Sequence, residues 1–148
     1  MSAEGQFLIG KVAFEAIRAS GLEPDAVGGL TIGADPIAYS IAHESWRSGR
    51  PVDAFSVRKA VKSHGTGRRI EGAVEAGAGV LVVEDALTTG KSTLEAIGTL
   101  QGEGHSIVGV LTLVDREGGG SDRIREAGWP LITLFTAAEL LERAGHSP

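Results

Sequence analysis

Apolar and polar positions alternate along this chain with two different periods. Between residues 4 and 19, Leu8, Ile9, Val12, Ala13, Ala16 and Ile17 recur at the spacing of one helix face, and Gly21 follows as a stop. AVGGLTI (26–32) reads as a short buried strand entering a glycine turn, and Asp35–Pro36 as the cap and first turn of a helix reaching about Ser48. VDAFSV (52–57) predicts a second strand, whereas residues 58–78 are polar and glycine-rich with no sustained period. GVLVVE (79–84) is apolar until its last residue, the pattern of a central parallel strand covered on both faces. A helix over 91–102, a strand over 106–115, a flexible EGGGS connection, a short helix over 121–127, a strand over 130–135 and a helix over 137–144 complete the reading. Alternating strands and helices predict an α/β fold, one parallel sheet with helices on both faces, as a single domain over residues 1–148. Ligands of such sheets bind beyond the carboxyl ends of the strands.

Composition narrows the chemistry. There is no cysteine, which excludes disulfides and thiol nucleophiles and suits a cytoplasmic protein. No apolar run approaches a membrane span, and the amino terminus lacks the pattern of a signal peptide. A formal net charge of -5 argues against a general nucleic-acid binder.

The stretch VVEDALTTGKST (82–93) ends like a triphosphate-binding P-loop. That loop needs its first glycine where this chain has Asp85, and Glu84 and Asp85 carry the wrong charge to face a polyphosphate. Two carboxylates at the end of a central strand suit vicinal ribose hydroxyls instead. The turn from Leu87 to Ser92 opens a helix whose free N–H groups, with the hydroxyls of Thr88, Thr89 and Ser92, make a cup for one phosphate. The bland alternative is solvated acids beside a helix capped by Ser92.

A second feature is the basic segment. Residues 58–69 hold five of the chain's fourteen Lys and Arg residues (Arg58, Lys59, Lys62, Arg68, Arg69) and His64. The segment is either a solvated loop or a lid for a polyanion. Within residues 58–69 no aromatic is interleaved to stack on nucleic-acid bases.

VLVVEDALTTGKS resembles the phosphoribosyl pyrophosphate (PRPP) signature of type I phosphoribosyltransferases. AFSVRKAVKSHGTGRRIEG (54–72) resembles the catalytic loop of the orotate phosphoribosyltransferases, VGGLTIGADPIA (27–38) their pyrophosphate-loop region, and LTLVDRE (111–117) their strand ending in Asp-Arg. The resemblance runs in order over roughly residues 26–118. It implies transfer of phosphoribosyl from PRPP to orotate, giving orotidine 5′-monophosphate and pyrophosphate. PRPP would be held by Arg58, Lys59, Lys62, His64, Glu84, Asp85, Ala86, Leu87, Thr88, Thr89, Gly90, Lys91 and Ser92. Lys62 and Asp85 would serve catalysis, and Thr88 and Arg116 would contact orotate. Mg²⁺ would arrive on the substrate's own oxygens, with no dedicated protein metal site. A homodimer sharing the segment 58–70 across its interface is also implied.

Three departures accompany the resemblance. Family members carry several dozen residues ahead of the matched region, forming a hood over the base, where this chain has one helix. No lysine stands near Gly33, and Glu84 replaces the more usual aspartate. Two alternatives therefore stay open: a phosphoribosyltransferase for another nucleobase, or a non-catalytic PRPP-binding regulator. The presence of Lys62 and His64 speaks against the latter, which needs no cations on a leaving group.

Overall fold

The structure, a computed structural model, describes residues 2–59 and 69–145. Its elements run α1 (Ala3–Ser20), β1 (Ala26–Leu30), α2 (Asp35–Arg47), β2 (Asp53–Val57), β3 (Ile70–Gly72), β4 (Gly79–Leu87), α3 (Lys91–Gly102), β5 (Ser106–Asp115), α4 (Gly120–Glu126), β6 (Leu131–Thr136) and α5 (Ala137–Arg143). Among the described residues six strands form one sheet in the order β3-β2-β1-β4-β5-β6. All pairs are parallel except the edge pair β2–β3.

Strand alternation builds two cores. Val80 and Val82 of β4 point to the layer of α3 and α4, against Ala96, Ile97, Leu100 and Ile124. Leu81 and Val83 point the other way, against Phe14 and Ile17 of α1 and Ile37 and Ile41 of α2. Both faces of β4 are thus covered, as its apolar run requires. From β1 the chain steps outward to β2; from β4 it steps the opposite way to β5. Right-handed crossovers in opposite directions put α2 and α3 on opposite faces. The sheet therefore reverses its winding between β1 and β4, and a crevice opens there at the carboxyl ends.

Several expectations shift. The buried stripe of α1 is Gly10, Ala13, Phe14 and Ile17, while Leu8 and Val12 are exposed. Close helix packing explains the rotation: a Cβ on Gly10 would lie 2.5 Å from the Ser40 carbonyl oxygen of α2. Asp35 is not a cap. Ala34 holds that position without a side-chain bond, and the Asp35 carboxylate instead accepts from the Ser56 hydroxyl at 2.8 Å. β4 runs on through Leu87, three residues past the expected end. β3 was not expected at all.

Candidate functional site

The crevice arises from unequal strand pairing. β1 pairs with β4 only as far as Gly28 and Val82, whereas β5 accompanies β4 to Leu87 and Asp115. Past Val82, one edge of β4 is therefore open toward the β1–α2 connection. That connection comes close, with Thr31–Ile32 in a cis peptide. A Cβ on Gly29 would lie 2.2 Å from the Val83 carbonyl oxygen, and one on Gly33 would touch the Asp85 carboxylate at 2.7–2.8 Å. Backbone can pass at such distances only where there is no side chain.

Glu84 and Asp85 sit at this open edge. Glu84 is half-buried, and its Oε2 accepts from the Thr93 hydroxyl of α3 at 2.8 Å. Burial pushes its carboxyl above the ordinary glutamate range. Thr93 pulls the other way, the neighbouring Asp85 carboxylate adds to the rise, and the Lys59 charge opposes it. Lys59 is thus close enough to act on Glu84. Asp85 is exposed, and its Oδ1 accepts the adjacent Ala86 N–H at 2.9 Å.

Ala86 and Leu87 still belong to the strand, and the Leu87 side chain is fully buried, so only its backbone can face a ligand. The turn proper is Thr88–Gly90. Gly90 adopts φ 75°, a left-handed conformation that frees the backbone to enter α3. Among the described residues no side chain caps α3; Ser92 is exposed in its first turn, beside Lys91, and Gly90 holds the cap position. First-turn N–H groups, exposed Thr88, Thr89 and Ser92, and the positive helix end come together where the sequence reading puts the anion cup.

The floor of the cup was not legible as such. Residues 117–121, expected to be a flexible connection, press on the turn. Gly120 N–H donates to the Thr88 carbonyl at 2.9 Å, and a Cβ on Gly118 would lie 2.7 Å from that same oxygen. Asp115 fixes this segment by accepting from the Glu117 N–H at 2.8 Å and from the Ser121 hydroxyl. Arg116 N–H donates to the Leu87 carbonyl at 2.8 Å, which sets Arg116 beside Thr88 on one rim. The Arg116 side chain is exposed and makes no ion pair with a described residue.

The basic segment divides. Arg58 leaves β2 and binds Glu71 of β3 at 2.8 Å, a bond that pushes its pKa further up. It borders a cavity of about 480 Å³ lined also by Thr31, Asp35, Tyr39 and Ser56. Arg69, read from sequence as one more loop cation, is spent on protein contacts. Its guanidinium donates to the carbonyls of Arg58 at 2.9 Å and Lys59 at 3.3 Å and to Glu95 at 2.8 Å. Lys62, His64 and Arg68 lie outside the described residues. Among the described residues no three His, Asp or Glu side chains are grouped to cage a metal ion, and no helix is long and apolar enough to cross a membrane.

No protein-family model matches the chain. The orotate phosphoribosyltransferase of Aquifex aeolicus is 47% identical over 138 residues, which cover 93% of this chain and 74% of that protein. The enzyme of the same name from Streptomyces avermitilis is 47% identical over 141 residues, covering 95% and 76%. Among solved structures, the Mycobacterium tuberculosis orotate phosphoribosyltransferase in complex with PRPP superposes with a TM-score of 0.80 at 41% identity, covering 91% of this chain and 75% of that one.

Proposed function

The chain belongs to the orotate phosphoribosyltransferase family, and on that premise we propose that it moves the phosphoribosyl group of PRPP onto orotate, in the cytoplasm, giving orotidine 5′-monophosphate and pyrophosphate. One observation carries the reading: an acid pair and an uncapped helix start share one rim at the point where the sheet reverses.

The α3 turn receives the 5′-phosphate through its N–H groups and the Thr89 and Ser92 hydroxyls. Asp85 accepts from a ribose hydroxyl, with Glu84 beside it. The bond from ribose C1 to pyrophosphate breaks with its electron pair leaving on oxygen. A ring nitrogen of orotate bonds to C1, and its proton passes to the departing pyrophosphate. Negative charge grows on the leaving group as the sugar becomes cation-like, so cations fixed near it lower the barrier. Arg58 and Lys59 stand at the end of β2 for that role. By resemblance Lys62 and His64 join them, with Lys62 acting mainly on rate. Arg116 offers a planar fork to the orotate carboxylate, beside Thr88.

Mg²⁺ fits this site as a substrate-borne ion, since one or two carboxylates suffice when phosphate and ribose oxygens fill the remaining positions. Glu84 and Asp85 would hold it on the ribose side, and when bound it supplies charge neutralisation for the pyrophosphate. The reading also takes the protein to be a homodimer sharing the segment 58–70. The test is the loss of orotate absorbance with PRPP and Mg²⁺, run in parallel with adenine, guanine, hypoxanthine, xanthine and uracil. Turnover of orotate alone is expected; turnover of a purine instead would overturn the assignment.

A further inference from the structure

Arg69 is the feature that the reaction scheme leaves unused. The antiparallel pairing of β2 and β3 ends at Val57 and Ile70, and one more backbone bond, Arg58 N–H to the Arg69 carbonyl at 2.8 Å, extends it. The Arg69 side chain then turns back across this junction. Its Nε holds the Arg58 carbonyl, and its Nη2 is shared between the Lys59 carbonyl and the carboxylate of Glu95. Glu95 lies on α3 one turn after Lys91. A guanidinium suits such a task because its donors have fixed directions and its charge does not titrate away. The Arg69 side chain is only 25% exposed, against 43% for Glu95, so solvent screens the pair incompletely.

The consequence is geometric. α3 carries the anion cup on its first turn and the Glu95 anchor on its second. Arg58 and Lys59, which face the leaving group in the proposed reaction, have their backbone carbonyls tied to that anchor. The two halves of PRPP, 5′-phosphate and pyrophosphate, would then be measured from one rigid helix. We infer that Arg69, with Glu95, is a positioning residue: it fixes the Arg58–Lys59 cations relative to the phosphate cup and touches no substrate itself. This inference rests on the functional reading above, since it takes pyrophosphate as the partner of Arg58 and Lys59.

The test separates the two halves of the substrate. Pyrophosphate and ribose 5-phosphate are titrated separately by calorimetry into wild type, Arg69→Ala, Arg69→Lys, Glu95→Ala and the Arg69→Ala/Glu95→Ala double variant, and steady-state kinetics with orotate and PRPP accompany them. Arg125→Ala, which breaks an exposed pair elsewhere, is the control. Arg69→Ala is expected to weaken pyrophosphate binding about tenfold, as for one lost charged hydrogen bond, with ribose 5-phosphate affinity unchanged. Its turnover should fall between about tenfold and a hundredfold, the scale on which a misplaced group of about 1 Å is felt. Glu95→Ala should act in the same direction, and the double variant should be no worse than Arg69→Ala. Arg69→Lys keeps the charge but not the fork, and should recover the loss only in part.

Equal weakening of both ligands, full recovery by lysine, or additive effects of the two alanines would each overturn the inference. Should Arg69→Ala fail to fold, the exposed Glu95→Ala carries the same comparison. A wild type that ignores orotate but shows the split between pyrophosphate and ribose 5-phosphate refutes the base assignment and upholds the positioning role. A wild type that turns over orotate while Arg69→Ala and Glu95→Ala keep its kinetics and pyrophosphate affinity does the reverse.

Discussion

Replacing Gly120 by alanine adds one methyl group to the underside of the anion cup. That carbon would lie 2.8 Å from the Thr88 carbonyl oxygen, 2.9 Å from the Gly90 nitrogen and 3.0 Å from Leu87 Cγ. Two of the three neighbours are backbone of the turn itself. To reach ordinary contact the turn must retreat by about half an ångström, an overpacking that costs roughly 1–3 kcal/mol. The bond from Gly120 N–H to Thr88 is strained with it. Against this, Gly120 is helical, and alanine there regains up to about 1 kcal/mol of helix propensity. The net loss of stability should therefore be ~0–3 kcal/mol, a drop of at most about ten degrees in Tm at this size. Ligand affinity should suffer more. If the shift removes one N–H contact to a charged phosphate, worth about 1.5–3 kcal/mol, ribose 5-phosphate binding weakens roughly 10- to 100-fold. Gly119 supplies the contrast. It sits at φ 81° with nothing within 4 Å, so Gly119→Ala costs backbone strain of ~1–2 kcal/mol and leaves the cup in place. Calorimetric titration of ribose 5-phosphate, paired with urea melts, reads both quantities. Unchanged affinity in Gly120→Ala, or an equal loss in Gly119→Ala, would refute the idea that residues 118–120 form the floor of the cup.

Other outcomes follow from the same geometry. Asp85→Asn should weaken PRPP binding in calorimetry while thermal melts stay close to wild type, because the side chain is exposed and asparagine keeps an oxygen that can accept from the Ala86 N–H. Glu84 has a carboxyl raised by burial, so its contribution to stability is full below the ordinary glutamate range and is lost as pH rises through its raised value. Glu84→Gln should accordingly melt above wild type at neutral pH, with the gap closing in acid; a gap independent of pH would contradict the burial argument. Lys62→Ala should cut turnover by roughly 10²–10³, the cost of one preorganised group acting on developing charge, with a smaller change in PRPP affinity. Arg68→Ala should do much less, and equal effects would mean a diffuse positive field.

The long elements were written plainly in the sequence. β4 announced itself as an apolar run, and α3 matched its expected span to the residue, because both satisfy neighbours on a face that periodicity describes. β3 escaped because it is three residues long, has one buried side chain, and exists through its pairing with β2. The place of the acid pair beside the helix start was readable because the strand, the acids and the helix start are consecutive. Their supports were not: Thr93, Gly118, Gly120 and Asp115 act through contacts that only folding brings together. Glycines in a row look the same whether they are loose or wedged under a carbonyl. Charge clustering likewise could not separate Arg69, which is occupied by protein groups, from cations left for a ligand.

The direction of α1 has a practical side. Gln6 donates to the Pro36 carbonyl at 2.9 Å, so the helix starts beside the start of α2, on the same rim as the site. A purification tag or surface linker joined directly to the start of α1 would therefore emerge next to the proposed site. The turns on the far rim are better handles. Gly49 and Gly104 have nothing within 4 Å of an added carbon, and their neighbours Ser48 and Glu103 are exposed. Because the chain has no cysteine of its own, a single Ser48→Cys or Glu103→Cys substitution would give one thiol for a dye or a chip, facing away from the chemistry.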